Sequence, residues 1–162
     1  MPPLNRAKPT EAEATARLEE FCARAEHCTR EVRDKLWLWG ISGQLADHIV
    51  ESLQDRRFID NRRFAMAFVN DKVKFSRWGR RKIMQALSQK RIDREYIAAS
   101  IETIDEDVYE ENLRHLLRAK AQSLPDDSGP QTREGRDKLF RFAVSRGYEP
   151  DMCIRFIREL FD

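Results

Sequence analysis

The sequence predicts an all-α fold: three tandem three-helix repeats forming an elongated, curved array. Three observations carry that prediction. Apolar residues recur at three- and four-residue steps along most of the chain, which gathers them on one face of a helix, and the short β-branched runs fit this spacing better than strand alternation. Nine positions of one segment return twice further along. Of 162 residues, 36% are charged and 41% hydrophobic, a balance typical of a soluble, strongly helical protein.

Residues 1–9 contain no apolar signal core and read as a disordered tail. Thr10 and Glu13 have capping-box spacing and open a helix whose inward face is Ala14, Leu18, Phe21, Cys22 and Ala25. A second helix starts at Thr29, turns Val32, Leu36 and Trp39 inward, and ends at Gly40, a residue suited to a left-handed cap. Trp37 lies off that stripe and is expected on the surface as a contact residue. A third helix, capped by Ser42, presents Leu45, Ala46, Ile49, Val50 and Leu53.

The pattern then restarts. A helix over 60–73 carries Phe64, Ala65, Phe68 and Val69, and one over 78–90 carries Ile83, Met84 and Leu87. The connection between them has Phe75, Trp78 and Gly79, where burial of Trp78 and close helix packing at Gly79 are expected. A helix capped by Asp93 follows, with Tyr96, Ile97, Ile101 and Ile104. The acidic turn from Glu102 to Asp107 opens a long helix containing Val108, Leu113, Leu116 and Leu117, as acids at a helix start favour. After the Pro/Gly/Ser-rich loop 124–131 come two last helices, over 132–146 and 150–161.

These restarts form a repeat. Val32, Leu36, Gly40, Ile41, Ser42, Leu45, Ala46, Val50 and Leu53 shift by 51 residues onto Ile83, Leu87, Arg91, Ile92, Asp93, Tyr96, Ile97, Ile101 and Ile104. A further shift of 56 lands on Leu139, Ala143, Gly147, Tyr148, Glu149, Met152, Cys153, Ile157 and Leu160, the extra five residues falling in the loop. The repeat predicts units at 10–58, 59–104 and 105–162. Each is short for a stable core, so neighbours should share apolar surface.

Charge is distributed unevenly over this frame. From Arg56 to Arg94 thirteen basic residues face three acids, a local charge of +10 in a chain whose net charge is +2. A solvated helix face mixes both signs; this stretch barely does, and such a field suits nucleic acid or a protein wrapped around it. The helix over 79–90 resembles the reading helix of a helix-turn-helix, but its Arg and Lys suit phosphate contact better than base readout.

Several function classes lack their residues. No phosphate-binding glycine loop, metalloprotease helix or nucleophile elbow is present, and His27, His48 and His115 are scattered. Three cysteines without C-x-x-C spacing argue against a disulfide framework or structural zinc and for reduced thiols. No apolar run approaches the ~20 residues of a membrane span. Binding, in the cytoplasm, is expected rather than catalysis, with no metal or cofactor.

The motif Phe58-Ile59-Asp60, Arg63-Phe64-Ala65, Phe68, Lys72, Trp78-Gly79, Lys82-Ile83, Leu87, Lys90 and Ile92 resembles the RecX family of recombinase regulators. The likeness runs through essentially the whole chain. It implies an all-helical, non-catalytic monomer whose partners are the RecA recombinase filament and its single- or double-stranded DNA. The chain would lodge in the filament's helical groove and dampen strand exchange, ATP hydrolysis and coprotease activity. Candidate filament- or DNA-binding residues are Arg62, Arg63, Lys72, Lys74, Arg77, Arg80, Arg81, Lys82, Lys90 and Arg91. Phe64, Phe68, Trp78, Gly79, Ile83, Leu87 and Ile92 would form the structural motif. Arg91 stands where many members carry glycine, which removes an easy left-handed cap.

Overall fold

A computed structural model describes residues 7–162. Among them the chain forms nine α-helices and no strand: α1 (Glu11–Arg24), α2 (Thr29–Leu38), α3 (Gly43–Asp55), α4 (Asn61–Lys74), α5 (Arg80–Gln89), α6 (Arg94–Glu102), α7 (Glu106–Gln122), α8 (Arg133–Ser145) and α9 (Pro150–Phe161). A 3₁₀ turn at Asp126–Ser128 occupies the predicted loop. Most of the predicted tail, residues 1–6, lies outside the described residues, and Pro9 is buried.

Local chemistry sets the helix starts. Thr10 Oγ1 accepts from the Glu13 amide at 3.2 Å, and Asp60, Asp105 and Thr132 cap α4, α7 and α8 in the same way. Ser42, Asp93 and Glu149 do occupy N-cap positions, but their side chains make no capping bond. The carboxylate of Glu149 is engaged instead by Arg80 of the second unit and by the Tyr109 hydroxyl of its own.

The ends of α2, α5 and α8 repeat one device in the register of the sequence. Ile41 N donates to Leu36 O at 2.8 Å, Ile92 N to Leu87 O at 3.1 Å and Tyr148 N to Ala143 O at 3.3 Å. Each closes a Schellman turn around a left-handed residue: Gly40 (φ 78°), Arg91 (φ 56°) and Gly147 (φ 97°). The repeat thus keeps the turn at Arg91 without keeping the glycine. A non-glycine residue there bears the steric cost of that conformation.

Three hydrophobic clusters follow. Leu18, Val32, Leu36, Ile49 and Leu53 lead the first, from α1–α3. Phe64, Val69, Ile83, Leu87 and Ile97 lead the second, from α4–α6, which also takes Cys28 from the first unit. Tyr109, Leu113, Leu139, Tyr148 and Phe156 lead the third, from α7–α9. Three inward assignments are corrected. Met84 is 42% exposed, because the inward face of α5 runs through Ile83 and Leu87. Ala25 is exposed because α1 ends at Arg24 and the chain turns extended. Val108 is 47% exposed, because the α7 stripe runs through Tyr109, Leu113 and Leu117 instead.

The units join in series. Among the described residues, no hydrogen bond or ion pair links the first unit to the third. The chain exposes 10556 Å², against roughly 8400 Å² for a compact monomer of this mass, which agrees with an elongated array.

Candidate nucleic-acid interface

The α4–α5 segment stands on the second core through Phe64, Val69, Ile83 and Leu87, all buried. Phe68 and Trp78 pack beside it with ring centroids 6.3 Å apart, edge to face. Trp78 is half-buried rather than sealed in, because its ring is also the platform for two lysines: Lys72 Nζ lies 4.6 Å and Lys82 Nζ 4.5 Å from its centroid. Cation–π attraction gathers the two ammonium groups without neutralising them.

Ion pairing divides the ten predicted contact residues. Arg63 is turned inward, to the Glu26 carboxylate at 2.6 Å and to the carbonyls of Arg57 and Phe58. Lys90 pairs with Glu31 at 3.4 Å. Arg80 is paired with Glu149 at 3.2 Å and with Glu106, and its guanidinium carbon lies 3.9 Å from the centre of the Tyr109 ring. Burial works against the charge of Arg80, yet the two carboxylates outweigh it and raise its pKa further. These three cations hold units together. Among the described residues, Arg62, Lys72, Lys74, Arg77, Arg81, Lys82 and Arg91 have no acidic partner, and Arg62, Lys74, Arg81 and Arg91 are exposed. Beside Lys74, Phe75 is 71% exposed, its ring 5.3 Å from the ammonium. Trp37 on α2 is 63% exposed, as its place off the stripe predicts.

Gly79 holds this surface against the third unit. Its φ of −79° is ordinary, so glycine is not required there for backbone freedom. A Cβ at Gly79 would lie 2.2 Å from the carbonyl carbon of Gly147, so glycine is required for close approach. Three amides at the start of α5 are satisfied across the joint: Gly79 N donates to Arg146 O (2.7 Å), Arg80 N to the Tyr109 hydroxyl (3.0 Å) and Arg81 N to Gly147 O (3.0 Å). The Tyr109 hydroxyl donates in turn to Glu149 at 2.7 Å, Tyr148 donates to Arg77 O at 2.8 Å, and Asn112 to Val73 O at 2.9 Å.

Tyr109, Asn112, Tyr148 and Glu149 were not legible as functional residues, although one signal was present. In the repeat register Tyr148 is a phenol where the other units have Ile41 and Ile92, and a buried hydroxyl needs a partner. Burial raises the pKa of both phenols, so they remain protonated donors. Among the described residues no His, Cys, Asp and Glu cluster is placed to hold a metal ion, and no helix is long and apolar enough to cross a membrane.

Residues 60–101 match the family model for the second three-helix domain of RecX. The chain is 31% identical over 130 residues to the regulatory protein RecX of Clostridium botulinum (strain Alaska E43 / Type E3), a match covering 80% of this chain and 60% of that protein. It is 32% identical over 126 residues to the regulatory protein RecX of Xanthomonas axonopodis pv. citri, covering 78% of this chain and 74% of that one. In fold it resembles the crystal structure of RecX from Lactobacillus salivarius, with a TM-score of 0.78 at 21% identity over 93% of this chain and 96% of the other. A second crystal structure of regulatory protein RecX gives 0.79 at 18% identity, over 92% and 71%. The clostridial match spans 60% of that relative's length, and the Xanthomonas relative is matched over most of its own. With its three-helix units and this degree of identity, the chain belongs to the RecX family of regulatory proteins.

Proposed function

We propose that this chain binds RecA–DNA filaments in their helical groove and inhibits the recombinase, ATPase and coprotease activities of the filament. The observation that carries the reading is the set of seven unpaired cations, Arg62, Lys72, Lys74, Arg77, Arg81, Lys82 and Arg91, displayed by one rigid unit of a RecX-family protein. Long-range attraction steers such a surface to a polyanion. The serial units supply the length to reach along a groove, and obstruction in place of catalysis suffices for inhibition. In this reading the chain acts as a cytoplasmic monomer without a cofactor, and the units 10–58, 59–104 and 105–162 contact successive parts of the filament.

Charge reversal tests it. Lys74→Glu, Arg81→Glu and Arg91→Glu combined, with Arg80 untouched because it holds the joint, should abolish inhibition of RecA ATP hydrolysis while helix content is kept. Full inhibition by that folded variant at moderate salt would overturn the reading. A second reading, a sequence-independent nucleic-acid binder that needs no recombinase, draws on exposed Phe75 beside Lys74, a pairing suited to base stacking. It requires equal affinity for bare and coated strands and a steep loss with salt.

A further inference from the structure

The joint between the second and third units also shapes a cleft. Beside the contact of Gly79 with Gly147 lies a space of about 490 Å³ lined by Arg81, Lys82 and Gln85 of α5 and by Val144, Ser145 and Gly147 at the end of α8. No acid occurs in residues 80–92 or 138–148, the stretches that form its two walls. Among the described residues, Arg81 and Lys82 have no carboxylate partner. Neither has Arg141, one turn before Ser145 on α8, whose Nε donates only to the backbone carbonyl of Asp137. The α5 amides at the joint are already occupied by Arg146 O, Gly147 O and Tyr109, so an anion here meets side chains rather than a helix end.

We infer that this α5–α8 cleft binds the phosphodiester backbone of a single nucleic-acid strand, which carries the strand's path from the basic second unit onto the third. The inference rests on the nucleic-acid contact proposed above and adds to it a wall, Val144 to Gly147, outside the basic stretch of the sequence, with Arg141 one turn before Ser145. Its lining holds a guanidinium, an ammonium and an amide able to donate to phosphate oxygens, with no carboxylate to repel them; the Ser145 hydroxyl already donates to Phe142 O at 2.6 Å. The space is that of a small-ligand pocket, enough for roughly one or two nucleotides and too small for both strands of a duplex. Its floor is fixed, because a Cβ on Gly147 would lie 2.4 Å from Lys82 Cβ. The two walls therefore keep their spacing.

The test uses the full chain and a labelled oligothymidylate followed by fluorescence anisotropy across a salt series. Arg141→Glu with Ser145→Glu, both exposed positions on the third unit, should weaken binding roughly tenfold and flatten the salt dependence by about one counterion. Arg62→Glu with Lys74→Glu probes the second unit away from the cleft. In addition, a photo-crosslinking amino acid in place of Ser145 should attach to the bound oligonucleotide, and one in place of Arg155 on α9 should not. If the α8 variant binds as wild type while the second-unit variant fails, the cleft is overturned and the broader reading stands. Wild-type binding by both variants overturns the cleft and the nucleic-acid contact of the second unit together, whereas no binding by the unmodified chain overturns the cleft alone, because recognition of a coated strand does not require affinity for a bare one. Absence of crosslinking at 145 from a saturated complex also overturns the cleft, whatever the α8 variant does to folding.

Discussion

The two joints of this array are built from different materials. Between the first and second units, side chains do the work: Glu26 with Arg63, Glu31 with Lys90, and Asn61, which accepts from the Thr29 amide at 2.9 Å and donates to its hydroxyl at 3.0 Å. Between the second and third, backbone meets backbone at Gly79 and Gly147, two buried tyrosines complete the hydrogen bonds, and the Arg80 pairs with Glu149 and Glu106 flank that contact. Long side chains tolerate small shifts and respond to salt and pH; a glycine contact tolerates almost none. The second joint therefore sets the geometry of the basic surface, and the first is a more compliant connection.

The largest expected effect breaks the rigid joint. Gly79→Ala places a methyl against the Gly147 backbone on a contact with no flexible atom to yield, and should cost about 3 kcal/mol in denaturant unfolding. Asn61→Ala at the compliant joint should cost only about 1 kcal/mol. If the two variants lose equal stability, the contrast between the joints disappears. Next in size, Tyr109→Phe removes the acceptor of the Arg80 amide and the donor to Glu149 and should cost about 2 kcal/mol. That loss should change little with added salt, because the hydroxyl that makes both bonds is neutral and belongs to a buried side chain.

A smaller effect separates the joints by pH. Burial pushes the Glu31 carboxyl up, but the Cys28 amide and the charges of Lys90 and His27 outweigh it and hold its pKa below the ordinary value of 4.5. A depressed folded-state pKa adds stability that is complete above the unfolded value and is lost as pH falls through the folded one. Glu31→Gln should therefore be less stable than wild type at neutral pH and converge with it in acid below the ordinary carboxylate range. A constant difference over that range would contradict the assignment. The smallest effect concerns Arg91, whose φ of 56° costs energy that glycine would not. Arg91→Gly should raise stability by about 0.5 kcal/mol while lowering affinity for a polyanion, a split read by unfolding and salt-dependent binding together.

Much of the fold was legible because helix periodicity and the shifts of 51 and 56 residues report packing directly. Phe64 is buried where helix periodicity places it, and Ile83, Leu87 and Ile92 where the repeat does. Charge was legible only as composition. Arg63, Arg80 and Lys90 look like their neighbours in the sequence, and what turns them inward is Glu26, Glu149 and Glu31, 37, 69 and 59 residues away. No local pattern encodes such a pairing. The close approach at Gly79 was readable as a need for a small residue, but its partner Gly147 lies in another unit, where the repeat had already given it the task of ending a helix. The cleft between α5 and α8 exists only once both are in place.

Recognition of a recombinase-coated strand is read from binding to labelled single-stranded DNA, bare and coated with ATP-bound RecA, at near-physiological salt. Clear preference for the coated strand is expected, lost on reversing Lys74, Arg81 and Arg91. Equal or tighter binding to the bare strand would contradict it, leaving the cations as a nucleic-acid surface that needs no recombinase.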